Sequence, residues 1–315
     1  MINFALFIPL IMNALPQETW YILGAGSIGC LWAASLCRKG LPVALILREH
    51  RLKSEQHQQA LTLSAEGETH HFQVNTTTPA HLKYPISRLI VCTKAQDALP
   101  ALESLRPHLA NTCKILLLQN GMGSQQAIAK TFPEYTIWAG SSTDGAYLEA
   151  PFHVVHAGKG RNWIGPMTTS PPDTFDELLN NFPLSVDTCE HIEEKLWHKL
   201  AINCCINGLT ALFSCRNGEL LDGTERQQQL EQLIEETALI LQQSGMKNPH
   251  LKEQVFNVCQ ATANNISSTC QDARLGRITE LPFINGFLIN RARVLNLPLP
   301  AHQSLLQQLR EKNIE

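Results

Sequence analysis

The sequence predicts an α/β chain: a doubly wound parallel sheet followed by an all-α region. Three observations predict it. From Trp20 onward, short runs that are apolar throughout alternate with longer helical stretches, the pattern of parallel strands covered by helices on both faces. A glycine-rich turn joins the first such run to the first helical stretch. After about Cys189 the strand signals vanish and long helical patterns take over. A length of 315 residues exceeds one ordinary core and suits two domains.

The elements follow in order. Residues 20–23 (WYIL) read as a buried strand, followed by GAGSIG and a helical stretch ending at Arg38-Lys39-Gly40. Gly40 suits the left-handed position after a helix, and the two cations favour the negative end of its dipole. Further strands are expected at 42–47 (PVALIL), 88–92 (RLIVC), 114–118 (KILLL) and, shorter, 136–139. The Pro/Ser/Thr cluster at 168–173 reads as a loop, with the domain boundary expected between Val186 and Glu193. Helices are expected over 193–213, 223–244, 251–273 and 279–295. The expected organisation is an N-terminal extension (1–19), a sheet domain (20–189) and an all-helical domain (190–315).

Composition removes several function classes. A net charge of −3, from 25 Lys and Arg against 28 Asp and Glu, argues against nucleic-acid binding on a basic surface. A hydrophobic content of 44% excludes wholesale disorder. None of the ten cysteines forms a C-x-x-C pair, and several lie inside apolar runs, so they read as reduced thiols of a cytoplasmic protein. Adjacent Cys204 and Cys205 would point about 100° apart on a helix, which favours packing over a disulfide. The histidines show no metal-ligand spacing, and no metal is expected. The opening MINFALFIPLIM is too short to span a bilayer and lacks a positive start and a clear cleavage site. Neither a membrane span nor a secretory signal is therefore read from it.

Gly24-Ala25-Gly26-Ser27-Ile28-Gly29 follows a strand, opens a helix and belongs to the first βαβ unit. That context makes G-x-G-x-x-G a dinucleotide fingerprint of a Rossmann-type domain. Gly24 allows the tight turn, Gly26 admits the pyrophosphate and Gly29 lets helix and strand pack closely, with helix amides facing the phosphates. At the end of the second strand stands Leu47-Arg48-Glu49-His50-Arg51-Leu52-Lys53. Arg48 is nearest the strand tip, and Arg51 and Lys53 add charge for a 2′-phosphate, which favours NADP; Glu49 is the competing signal for NAD. Lys94 and the Asn120-Gly121 turn also follow apolar parallel strands, where ligands of open α/β sheets bind. Lys94 suits phosphate or ribose and Asn120 suits the nicotinamide and substrate; both also read as ordinary loop residues.

The segment EEKLWHKLAINCCINGLTALF is the most informative. Lys199, Asn203 and Asn207 stand at i, i+4 and i+8 and share one helical face among apolar neighbours. A buried ammonium or amide without partners costs on the order of 1–3 kcal/mol or more, so folding alone would not select this stripe. A ligand-facing stripe explains it; a network tying helices together is the alternative. A second polar cluster runs from Asn264 to Asp272. Thr279 reads as a helix N-cap, with Glu280 as a first-turn acid favouring the dipole.

Together these residues resemble the ketopantoate reductase (2-dehydropantoate 2-reductase) family: GAGSIG, Thr93-Lys94-Ala95, Asn120-Gly121-Met122-Gly123, Lys199-Leu200-Ala201-Ile202-Asn203 with Asn207, and Thr279-Glu280 with Ile284-Asn285-Gly286. The resemblance spans about 20–312 in the family's order, which implies that residues 1–18 are an extension outside the catalytic unit, with Met12 as a candidate true start. It implies NADPH-dependent reduction of 2-dehydropantoate to (R)-pantoate, a step toward pantothenate and coenzyme A. By matching positions, Lys199 is the implied general acid, and Asn203, Asn207, Asn217 and Ser268 are implied substrate contacts. Arg48, Lys94 and Ala146 of the Gly145-Ala146 turn are implied cofactor contacts alongside the glycine loop. The resemblance further implies that Asn120 touches both ligands and that Glu280 sits at their junction. The partner implied is a small 2-oxo acid, and the chain is expected to be a monomer or homodimer. Gly208 departs from the proline of some members. Other readings are a reductase of another branched 2-oxo acid and a non-catalytic NADP(H) sensor.

Overall fold

The structure is a computed structural model that describes residues 19–51, 58–167, 175, 178, 179, 182–223, 225–246 and 248–314. Residues 1–18 of the expected extension, Lys53 and the expected loop at 168–173 lie outside the described residues.

Eleven strands form one sheet: β1 (Trp20–Leu23), β2 (Val43–Ile46), β3 (Gln58–Ala65), β4 (Glu68–Thr77), β5 (Ile86–Val91), β6 (Leu109–Leu117), β7 (Thr136–Ser142), β8 (Gly145–Ala150), β9 (His153–Gly158), β10 (Asn162–Pro166) and β11 (Val186–Thr188). Their order is β11-β10-β7-β6-β5-β1-β2-β4-β3-β9-β8. The central run from β7 to β4 is wholly parallel, as expected for a doubly wound sheet. Alternation along each strand feeds two cores. Trp20, Ile22, Leu45, Ile90 and Leu116 pack on the side of α1 (Ser27–Arg38). Tyr21, Leu23, Ala44, Ile46, Leu89 and Val91 pack against α2 (Ala95–Leu105) and α3 (Ser124–Thr131). Burying each large apolar side chain contributes about 1.5–3 kcal/mol.

The flanks add strands that the periodicity reading omits. β3 and β4 form an antiparallel hairpin closed by Glu66 and Gly67, both at positive φ (53° and 80°). That is the geometry of a turn whose twist matches the strands. β10 runs antiparallel to β7, and β8 to β9, so Gly145-Ala146 opens a strand and is not a turn. β7 runs on to Ser142, past the expected end at 139.

Beyond β11 the described chain is helical: α4 (Ile192–Phe213), α5 (Glu225–Gln243), α6 (Leu251–Ala261), α7 (Ser268–Arg274), α8 (Asn285–Val294) and α9 (Pro300–Glu311). These helices share a third core. The helix expected over 251–273 is two, because Ser267 accepts the Cys270 amide (3.1 Å) and starts α7. Short polar side chains divert the backbone here from a continuous ladder. The stretch expected as a helix from 279 opens with a 3₁₀ turn (Leu281–Phe283) before α8. α9 adds a helix beyond the expected four, opened by Pro300 in its first turn. α4 packs against five other helices and reaches β7 and β10. At Gly208 a Cβ would lie 2.8 Å from the Leu305 side chain, so glycine at this position lets α4 and α9 approach closely. Among the described residues no helix is long and apolar enough to cross a membrane.

Candidate active site

The glycine loop sits at the carboxyl end of β1, between β2 and β5. Gly24 adopts φ +105°, and a Cβ there would meet the Thr93 amide nitrogen at 2.9 Å. A Cβ on Gly29 would fall 2.0 Å from the Gly24 carbonyl oxygen, which is the close helix–strand approach the fingerprint needs. Gly26 is exposed with open space before it. No side chain caps α1 and its first turn carries no acid, so its amides and positive dipole face outward. Buried oxygens of Thr93, Gln96 and Gln119 lack protein partners near the ends of β5 and β6. An open glycine loop, an uncapped helix and orphan polar atoms fit a dinucleotide.

The predicted catalytic residues meet across the two halves of the chain. Lys199 Nζ donates to Asn120 Oδ1 (2.8 Å), and Asn120 Nδ2 donates to Glu280 Oε2 (3.1 Å). Glu280 Oε1 accepts the Ala95 amide (3.0 Å). Glu280 therefore caps α2, across the cleft, and does not serve its own helix as a first-turn acid. Thr279 Oγ1 accepts from the Leu281 amide at 3.3 Å, but the residue at the N-cap of the 3₁₀ turn is Glu280, one position after the expected Thr279. Asn120 is presented by a turn seated on that same segment. Met122 N donates to Phe283 O (2.9 Å), and Gly121 (φ +76°) brings its Cα so close that a Cβ would stand 2.2 Å from Phe283 O.

Electrostatics suit Lys199 to proton donation. Burial draws its ammonium down to about 8, against which the Glu280 and Asp144 carboxylates act. Glu280 is pushed up by burial, opposed by the Ala95 amide, Asn120, Lys94 and Lys199. Asp144 follows β7 and is a residue that sequence reading passed over, although D-G after a strand is a turn signal. Its side chain is 2% exposed. It accepts from the Gly160 amide (2.8 Å) and from Asn162 Nδ2 (2.7 Å), and pairs with His156 Nε2 (2.8 Å). Burial raises its carboxyl, but these bonds outweigh burial and hold it below its ordinary value.

The other candidates surround this chain of bonds. Asn203 and Asn207 continue the Lys199 face along α4, partly buried and buried respectively. Asn217 Nδ2 donates to Thr262 Oγ1 (2.8 Å), which ties it to the turn after α6. Ser268 is exposed on the first turn of α7, while its neighbour Ser267 bonds Thr210 of α4 (2.7 Å). Neither Asn217 nor Ser268 bonds Lys199, Asn120 or Glu280 here. Ala146 lies on β8, two residues beyond Asp144. Lys94 Nζ pairs with Asp272 Oδ2 (2.8 Å) and donates to the Ile278 carbonyl, spanning the cleft. Arg48 Nη2 pairs with Asp97 Oδ2 at 2.6 Å. Asp97 also escaped the sequence reading, and Asp272 stands there only as the last member of the polar cluster from Asn264; each sits in a helical stretch whose charged residues look like solvated surface.

The arrangement is one cation able to donate a proton, oriented by an amide and a carboxylate, beside a dinucleotide cradle. Known proteins resemble this chain in sequence and fold. The family description "Ketopantoate reductase PanE/ApbA" fits residues 20–169, and "Ketopantoate reductase PanE/ApbA C terminal" fits residues 191–313. The 2-dehydropantoate 2-reductase of Shigella flexneri is 32% identical over 298 residues, covering 93% of this chain and 95% of that protein. A crystal structure of the PanE/ApbA family ketopantoate reductase from Ralstonia eutropha superposes with a TM-score of 0.83 at 25% identity, covering 93% of this chain and 97% of that one. The probable 2-dehydropantoate 2-reductase from Bacillus subtilis gives 0.77 at 27% identity, covering 94% and 100%. The fold, the bridged cleft and these matches agree: this chain belongs to the ketopantoate reductase family.

Proposed function

We propose that this enzyme reduces 2-dehydropantoate to (R)-pantoate with NADPH, and that Lys199 is its proton donor. The observation that carries the reading is the Lys199–Asn120–Glu280 chain of hydrogen bonds, which sets an ammonium from α4 beside the turn that follows β6. Gly24 to Gly29, Lys94 and Arg48 would hold the cofactor, with Asn120, Ala146 and Glu280 at its nicotinamide end. When bound, NADPH supplies the hydride for the ketone carbon. Lys199 supplies the proton and stabilises the developing alkoxide, help typically worth about 10²–10⁴ in rate. Asn120 fixes the ammonium's direction, and Glu280 holds Asn120 while keeping the local charge favourable to a protonated lysine. Asn203, Asn207, Asn217 and Ser268 would orient the substrate's oxygens with neutral donors.

The ten cysteines are all free thiols, in keeping with an enzyme of the cytoplasm. The test is oxidation of NADPH against a panel of branched 2-oxo acids. The reading expects 2-dehydropantoate to give the highest kcat/KM; preference for another acid would overturn the substrate assignment, and no turnover with any would overturn the enzymatic one.

A further inference from the structure

We propose that Asp97 sets how strongly this enzyme prefers a 2′-phosphorylated dinucleotide, by acting as a built-in competitor for the Arg48 guanidinium. The proposal rests on the reading that Arg48 receives the cofactor's 2′-phosphate. Arg48 stands just past the end of β2, and Asp97 is the third residue of α2, which follows β5. β2 and β5 are the two neighbours of β1 in the sheet. Neighbouring strands lie about 4.8 Å apart, so the Arg48–Asp97 pair at 2.6 Å joins the segments that follow the two strands flanking β1, at the end of the sheet where the glycine loop stands. A dinucleotide entering that loop meets the guanidinium already engaged.

Glu49, the acid the sequence offers for ribose hydroxyls, is turned elsewhere: its carboxylate lies 4.0 Å from His81 Nδ1. Among the described residues, Asp97 is therefore the carboxylate that pairs with Arg48. Its chemistry discriminates in one direction. A 2′-phosphate must share the guanidinium with, or displace, a like-charged carboxylate. A 2′-hydroxyl has no such conflict and can donate to a carboxylate, as in NAD-selective sites. Both side chains are solvent-accessible (64% and 40%), so the competition is screened and modest.

The experiment is titration calorimetry at low salt with 2′,5′-ADP and 5′-ADP, on the intact enzyme and its Asp97→Asn and Arg48→Ala variants. Asp97→Asn is expected to tighten 2′,5′-ADP about three- to tenfold, with 5′-ADP little changed. Arg48→Ala is expected to weaken 2′,5′-ADP by about tenfold or more. Unchanged or weaker 2′,5′-ADP binding in Asp97→Asn, with the Arg48→Ala loss intact, would overturn the proposal while leaving the 2′-phosphate reading standing. Equal binding of the two nucleotides by the unaltered enzyme and no effect of Arg48→Ala would overturn both.

Discussion

Replacing Gly121 by alanine sets a backbone conflict at the point where the two halves of the site are joined. The residue has φ +76°, and its new Cβ would stand 2.2 Å from Phe283 O, against about 3.4 Å for an ordinary contact. The left-handed backbone costs a non-glycine residue on the order of 1–3 kcal/mol. Relieving the contact requires the turn and the 3₁₀ segment to separate by about 1.2 Å, the difference of those two distances. That movement breaks the Met122–Phe283 bond (2.9 Å) and carries Asn120 away from Glu280. Misplacement by about 1 Å costs roughly a hundredfold in rate, so Gly121→Ala should lower kcat/KM for the 2-oxo acid by about that factor. Cofactor binding, which depends on the glycine loop, should survive. Steady-state kinetics paired with a fluorescence titration of NADPH separate the two effects. A variant with unaltered kcat/KM would refute the idea that this seating aligns the site.

Three further outcomes follow from the same geometry. Because Lys199 must be protonated to donate and its ammonium is drawn down to about 8, reduction should decline as pH rises through that value. Glu280→Gln or Asp144→Asn removes a carboxylate that opposes the fall, so the alkaline limb of kcat should move to lower pH; an unmoved limb would argue against this coupling. Arg48→Glu should shift the ratio of kcat/KM for NADPH and NADH toward NADH, and an unaltered ratio would remove Arg48 from cofactor choice. His302 is fully buried, with Nε2 near Thr237 Oγ1 (3.0 Å) and Nδ1 near Asn285 Nδ2 (3.1 Å), and burial lowers its pKa from 6.5 to about 4. The unfolded chain therefore binds the extra proton first. Stability from the neutral histidine is present above pH 6.5 and lost as pH falls toward 4, amounting to on the order of 3 kcal/mol. Denaturant titrations across that window should show the loss in the native chain and a flatter profile in His302→Gln.

The parallel centre of the sheet was legible because its strands are buried on both faces and announce themselves as continuous apolar runs. The flanking strands were not. β3, β4 and β9 mix exposed and buried positions and β8 has only exposed and half-buried ones, so they read as polar chain. Lys199, Asn203 and Asn207 were legible because polar groups on an apolar helix demand an explanation. Glu280 was found through family resemblance, yet its partner was not foreseeable: the carboxylate crosses 185 residues of sequence to reach Ala95. Asp97 and Asp144 gave no signal, and Asp272 gave no more than membership of a polar cluster, for the same reason, since each acquires its role from a partner brought in by tertiary packing.

Lys199→Ala tests the central claim most directly, with kcat for 2-dehydropantoate reduction and the Kd for NADPH measured side by side. Lys199 as proton donor predicts a fall of about 10²–10⁴ in kcat with cofactor affinity preserved. Turnover equal to that of the unaltered enzyme would contradict it.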